Sequence, residues 1–314
     1  MNSSQIRPVT TPQDMNRIRA LADRFMTRPA ELPISFVLDG KPASGIPRQW
    51  KLTSNSRWID ANIRETIFEG RDPGTGLCIR VECTQYRDFP VVEWVAWFTN
   101  HGQAPTPMIS DILAIDANLQ GSSPVLHHCN GDFNSAEGYT PQETPLTPAT
   151  KLAFAPNGGR PCDGAFPYHR IAFADGGITL ATGWPAQWAA RFEGSPDGVH
   201  VRIGQQKTSL RLLPGETIRA PRITIMAWQG DTTRAINLWR RWYLAHVLPR
   251  PNGRPMRPLL ACAATDEGEE FTAATEENQV RYIGEFHRHG IKPDVWWIDA
   301  GWYPCRNDDV AARL

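Results

Sequence analysis

For about two hundred residues the chain keeps a period of two, and near residue 230 the period changes. Up to residue 228, short apolar alternations are punctuated by Gly, Pro, Asn and Asp, the pattern of strands joined by turns. In Val199-His200-Val201-Arg202-Ile203, and again at Ile223, Ile225 and Ala227, apolar side chains fall on every second position, which predicts half-buried strands. Asp197-Gly198 and Pro214-Gly215 supply the turn positions between such strands. Val91 to Phe98 is apolar on both faces except at Glu93, as expected of a strand packed between two layers. Many short strands at a spacing of roughly 8 to 12 residues predict a large β-sandwich over residues 1–228, with a helical leader in residues 1–30 whose helix runs from about Gln13 to Met26.

From Asp231, a residue type that caps helix N-termini, the apolar residues Ala235, Leu238, Trp239, Trp242, Tyr243 and His246 recur at three- and four-residue intervals. They predict a joining helix whose stripe is core contact between domains, ended by the linker Pro249-Arg250-Pro251-Asn252-Gly253, so that residues 229–252 connect two domains. Beyond it the order is strand, helix, strand: Leu259 to Ala263, then Glu276 to His289 with Gly290 at its end, then Val295 to Ile298. The consecutive apolar residues Trp296, Trp297 and Ile298 fit a strand covered on both faces, as in a parallel sheet. The fold class expected is therefore multidomain β and α/β: an N-terminal β-sandwich, then the incomplete start of a (β/α)8 TIM barrel over residues 253–314.

Composition narrows the ligand. Among 314 residues, 33 Lys and Arg balance 33 Asp and Glu with no basic block, so nothing marks the chain for nucleic acid or an anionic membrane. The twelve Trp offer broad apolar faces suited to sugar rings, although core filling accounts for most of them. Cys78, Cys83, Cys129, Cys162, Cys262 and Cys305 contain no C-x-x-C pair and no zinc-type spacing, and are expected as free thiols. Residues 1–26 hold no apolar core of signal-peptide length, so a cytoplasmic protein is expected; an upstream start codon would allow an exported form. Neither G-x-G-x-x-G nor G-x-x-x-x-G-K-[ST] follows either barrel-type strand, which removes the main support for nucleotide binding.

In a (β/α) barrel the working residues sit at the C-terminal ends of strands, and Asp299 holds that position after Val295-Trp296-Trp297-Ile298. An ionised carboxylate can accept from two neighbouring sugar hydroxyls, Trp302 can stack on the ring, and Gly301 lets the backbone turn between them. A turn-forming Asp-Ala-Gly is the plainer reading of the same residues. Glu270 is a further candidate contact from the loop after the first strand, against the reading of a solvated loop carboxylate. Asp266, Glu267, Glu269 and Glu270 together read as a solvated acidic loop. His127-His128-Cys129 is not a metal site, because adjacent residues of an extended chain face opposite ways and no second ligand pair is spaced to help. Asp132, Asn134 and Tyr139 lie in a polar loop that either leans over a site or is ordinary surface. Trp184 and Trp188, four apart in a strand-like stretch, are expected on one face in the sandwich core.

Four stretches resemble one family. They are His127-His128 with Asp132 to Pro141, Gly183-Trp184-Pro185-Ala186-Gln187-Trp188, the run from Asn237-Leu238-Trp239-Arg240-Arg241-Trp242-Tyr243 to Gly253, and the run from Thr275-Glu276-Glu277-Asn278-Gln279 to Trp297-Ile298-Asp299-Ala300-Gly301-Trp302-Tyr303-Pro304. Together they resemble glycoside hydrolase family 36, the bacterial α-galactosidase or melibiase group. The resemblance implies a β-sandwich followed by a (β/α)8 barrel and retaining removal of terminal α-linked galactose from oligosaccharides or glycoconjugates. It implies no metal or organic cofactor, and a homo-oligomer at full length.

Family members commonly place two adjacent aspartates before the Gly-Trp; Asp299 matches the first, and Ala300 replaces the second. The substitution leaves a related α-glycoside, such as an α-N-acetylgalactosaminide, open as substrate. The catalytic nucleophile and acid/base, which a retaining glycosidase holds roughly 5 to 5.5 Å apart, are expected on later strands beyond Leu314, so no residue here is assigned a catalytic role and the 314-residue chain is expected to be inactive. A noncatalytic carbohydrate-binding β-sandwich is the reading from another class.

Overall fold

The computed structural model describes residues 7–132, 135–263, 274–298 and 302. The chain divides into two compact units, Met1–His246 and Val247–Leu314. After the helix Pro12–Met26 the first unit is almost entirely strand. In chain order these are β1 (Ser35–Leu38), β2 (Lys41–Ser44), β3 (Lys51–Trp58), β4 (Ile63–Arg71), β5 (Leu77–Tyr86), β6 (Val91–Asn100), β7 (Ile109–Gln120), β8 (Val125–Cys129) and β9 (Pro141–Pro145). They continue as β10 (Lys151–Phe154), β11 (Tyr168–Phe173), β12 (Gly176–Gly183), β13 (Trp188–Ser195), β14 (Gly198–Gln205), β15 (Ser209–Leu210), β16 (Thr217–Arg219) and β17 (Arg222–Trp228). The helix Thr232–Trp242 follows.

The strands form two antiparallel sheets. The seven-stranded sheet has the order β10-β13-β14-β7-β1-β2 with β15 on β7, and the ten-stranded sheet the order β3-β4-β5-β6-β17-β12-β11-β8-β9 with β16 on β6. One core joins them: Phe36 of β1 meets Phe98 of β6 edge to face at 5.4 Å, and the Trp94 indole N–H of β6 donates to the Ala114 carbonyl of β7 at 2.7 Å. This is the β-sandwich predicted from the alternation. In β14 the predicted set Val199, Val201 and Ile203 is buried, while His200 and Arg202 face away toward Asp116 and Glu193. At the turn before β14, Gly198 has φ +153°, and a Cβ there would stand 2.0 Å from the Leu119 carbonyl oxygen, so only glycine fits.

β6 is covered on both sides, as its two-faced apolar run predicts. Val92, Trp94 and Phe98 enter the sandwich core, whereas Val91 joins Met226 and Trp228 on the opposite face. That face is closed by Ala235, Leu238 and Trp242 of the helix Thr232–Trp242, with Phe89. The stripe expected at a domain junction thus completes the first unit's own outer layer. Glu93, the one charge in the run, is buried and accepts from Thr224 Oγ1 at 2.6 Å and from the Tyr86 hydroxyl at 2.8 Å, which meets the cost of removing it from water.

Two caps fix the helices. Thr11 and Asp14 form a reciprocal capping box, and Asp231 accepts from the Arg234 N–H at 2.8 Å. Asp14 also ties the two helices together, accepting from Arg234 Nη2 at 2.6 Å and from the Gln229 N–H at 2.8 Å. Burial works to raise its pKa, but the Arg234 and Thr11 hydrogen bonds outweigh burial and leave it lowered.

Trp184 and Trp188 do not share a strand. β12 ends at Gly183 and β13 begins at Trp188, so the chain turns between them; Trp188 is buried, while Trp184 is partly covered at the core margin beneath Arg219. Pro185, which cannot donate to a ladder, breaks the pattern that reads as continuous strand.

Candidate functional site

The second unit holds the stretch that carries the site expectation. β18 (Ala261–Cys262) and β19 (Val295–Trp296) pair in parallel, with Ala261 beside Val295 and Cys262 beside Trp296, and the helix Glu276–Arg288 connects them. This is a βαβ unit over the described residues. Thr275 caps the helix by accepting from the Asn278 N–H at 3.3 Å, and Glu276 and Glu277 set negative charge at the positive end of its dipole. The helix ends in a Schellman arrangement: Gly290 has φ +77°, its N–H donates to His287 O at 3.0 Å, and the Ile291 N–H donates to Phe286 O at 2.9 Å.

Asp294 fastens the entry to β19. It receives both Arg257 guanidinium nitrogens, at 3.0 and 2.5 Å, and the Leu260 N–H at 3.0 Å. The Arg257 fork, then the Leu260 N–H, holds its carboxyl down at about 2. One step on, the Trp297 N–H donates to Cys262 O at 2.8 Å and continues the ladder.

The side chains alternate as a strand requires. Trp296 turns to the helix, donating from its indole N–H to Gln279 Oε1 at 2.8 Å and meeting Phe286 edge to face at 5.3 Å. Trp297 points the other way and is 61% exposed. The strand predicted to be covered on both faces is thus covered on its helix side among the described residues. Trp302 is 65% exposed. Asp299, Ala300, Gly301 and Glu270, with Asp266, Glu267 and Glu269, lie outside the described residues.

In the first unit the other sequence candidates have ordinary partners. His127 Nδ1 pairs with Glu143 Oε1 at 3.0 Å, and His128 Nε2 lies 3.1 Å from Thr144 Oγ1; burial lowers the pKa of both imidazoles. Their partners sit on β9, opposite β8. Tyr139 packs edge to face on Phe166 at 5.5 Å, Asp132 bridges to Asp163, and Asn134 lies outside the described residues. Among the described residues no group of three or more His, Cys, Asp or Glu is placed to hold a metal ion, and Cys78, Cys83, Cys129, Cys162 and Cys262 are free thiols.

One cluster carries no sequence signal. Ser35 Oγ donates to Asp116 Oδ2 at 2.7 Å, and His200 Nε2 lies 2.7 Å from Asp116 Oδ1. The residue types are those of a nucleophilic triad, but the carboxylate stands between hydroxyl and imidazole, so the imidazole has no contact through which to take the serine proton. It is a sheet-surface network across β1, β7 and β14.

No protein-family model matches the sequence, and no curated protein matches it. Solved structures do share its fold. The α-galactosidase from Lactobacillus brevis superposes with a TM-score of 0.64 at 14% identity, over 88% of this chain and 39% of that one. The family 36 glycoside hydrolase AgaA, an α-galactosidase from Geobacillus stearothermophilus, gives 0.62 at 16% identity, over 88% of this chain and 40% of that one; variants of AgaA have been solved with raffinose and with stachyose. The galactosidase domain of the α-galactosidase-sucrose kinase AgaSK gives 0.64 at 16% identity, with 88% and 40% covered. The fold of this chain is therefore that of family 36 α-galactosidases, and the chain spans about 40% of the length of the structures it matches.

Proposed function

We propose that this chain supplies the β-sandwich and the opening βαβ unit of a (β/α)8 barrel to a retaining α-galactosidase acting on terminal α-linked galactose in oligosaccharides. The observation that carries the reading is the fold likeness over 88% of the chain, and the Trp297-Ile298-Asp299-Ala300-Gly301-Trp302 stretch after β19 supports it. In this reading Asp299 accepts from two galactose hydroxyls and Trp302 stacks on the ring, with Glu270 a further contact. The nucleophile and the acid/base belong to the part of the enzyme that this chain does not span. The motif binds and orients; it does not cleave. With Ala300 in place of a second acidic residue, one hydroxyl grip is absent, which favours tolerance of a substituted sugar such as an α-N-acetylgalactosaminide.

The test is hydrolysis of an aryl α-galactoside. A protein extended to the length of the matched structures should turn it over with retention, and the 314-residue chain should not. In the extended protein, Asp299→Ala should lower kcat/KM by about 10- to 150-fold, the equivalent of roughly 1.5 to 3 kcal/mol for hydrogen bonds to a charged group. Turnover by the 314-residue chain would overturn the placement of the catalytic pair, and an unchanged kcat/KM would remove Asp299 from the site.

A further inference from the structure

At one corner the larger sheet meets the N-terminal helix across a groove of about 290 Å³. The strand register builds its floor: Trp58 of β3 pairs with Arg64 of β4, and Arg64 pairs with Gln85 of β5, so these side chains stand in one rank on one face of the sheet. Two residues back along β5, the same face delivers Cys83 into the core beside Trp94. The helix Pro12–Met26 adds Arg19 and Asp23 to the opposite wall. Just beyond β5, Arg87 lays its guanidinium over the Trp58 ring, 3.9 Å from the centroid, while its N–H donates to Asn62 O at 2.8 Å.

The charge in this groove is unbalanced. Three guanidiniums, Arg19, Arg64 and Arg87, face a single carboxylate, Asp23, and none of the four has an ion-pair partner among the described residues. Other arginines of the unit are matched: Arg17 by Asp175, Arg57 by Glu65 and Arg234 by Asp14. Gathering like charges around a half-exposed Trp is unfavourable unless solvent or an anion offsets it. A guanidinium presents a fork of donors that matches two oxygens of a phosphate or a carboxylate, and stacking on Trp58 holds the Arg87 fork ready for one. Gln85, half-buried, can bond a hydroxyl in either sense, and the Trp58 ring offers apolar surface to C–H groups. The volume is near the small end of ligand sites, enough for one ring.

We infer that this corner is a binding site for a small anionic sugar, a single ring carrying a phosphate or a carboxylate. The site shares no residue with the proposed glycosidase motif and stands or falls without it. The experiment is calorimetric titration of the 314-residue chain at low ionic strength with glucose 6-phosphate, with glucuronate and with glucose, repeated with Arg64→Gln and Arg87→Gln. Saturable binding of one or both anions, not of glucose, weakened about tenfold or more in each variant and reduced by added salt, is the expected result. Binding of the phosphate alone assigns a dianion; binding of both assigns the shared carboxylate-like geometry. Should a strand variant fail to fold, Arg19→Gln on the exposed side of the helix carries the same expectation. The inference is overturned if neither anion binds saturably, if glucose binds as well as the anions, or if folded variants bind like the parent.

Discussion

His169 is an imidazole sealed among rings, with Phe192 at 4.8 Å, Phe154 at 5.2 Å and Trp188 at 6.0 Å, and its Nδ1 has no hydrogen-bond partner. Burial, with a smaller contribution from His128, drives its pKa down to about 3 from 6.5. The sign of the consequence follows from proton counting. Between pH 6.5 and 3 the unfolded chain binds a proton at this residue and the folded chain does not, so stability falls as pH falls through that window. Between pH 7 and pH 5 the loss from this one group is about 2 kcal/mol. His169→Phe keeps an aromatic ring in the cluster and removes the titration. Its urea-unfolding free energy should therefore drop by about 2 kcal/mol less than the parent's between those pH values, and equal drops in the two proteins would show that His169 is not the group responsible. Nothing in Tyr168-His169-Arg170 announces this. The residue is buried because the register places it opposite Leu180, which is a fact about β12 and not about its own neighbours in sequence.

At the scale of elements, the helix Thr232–Trp242 closes the outer face of β6 and β17 through Ala235, Leu238 and Trp242. Leu238→Ala should cost about 2 to 5 kcal/mol, because the lost methyl groups leave a cavity between a helix and a sheet that cannot collapse together. Ile236 lies on the exposed side of the same helix, and Ile236→Ala should change stability by no more than about 0.5 kcal/mol. Urea midpoints of the two variants check both; similar shifts would mean that the helix does not carry the layer. This helix was legible in the sequence, as were the helix Pro12–Met26 and strands β6, β14 and β17, because periodicity and caps are written within a few residues. The turn between Trp184 and Trp188 was not legible, because a four-residue spacing looks the same in a strand and across a turn. The order of strands in the sheets was not legible, and with it went the groove, since Trp58, Arg64 and Gln85 become neighbours only once β3, β4 and β5 pair. For the proposed sugar motif, the strand and the helix were legible in the sequence, whereas Asp299, Gly301 and Glu270 lie outside the described residues.

At the scale of the whole molecule, the two units differ in how much they bury. The first has a continuous core that draws on both sheets and on the N-terminal helix. Among the described residues the second pairs two short parallel strands against one helix, and Leu259, Leu260, Val280, Trp297, Ile298 and Trp302 are exposed. Parallel strands are ordinarily covered on both faces, and an exposed apolar surface of this kind is a site of association. A chain of residues 1–246 should therefore unfold cooperatively with a thermal midpoint close to that of the 314-residue chain, while binding less of a hydrophobic dye such as anilinonaphthalene sulfonate and staying monodisperse at higher concentration. If the shorter chain lost its cooperative transition, the first unit would depend on the second for its fold. If it bound as much dye as the longer chain, the exposed surface would belong to the sandwich and not to the βαβ unit. The expected pairing, an unchanged midpoint with reduced dye binding, would locate stability in the first unit and adhesiveness in the second.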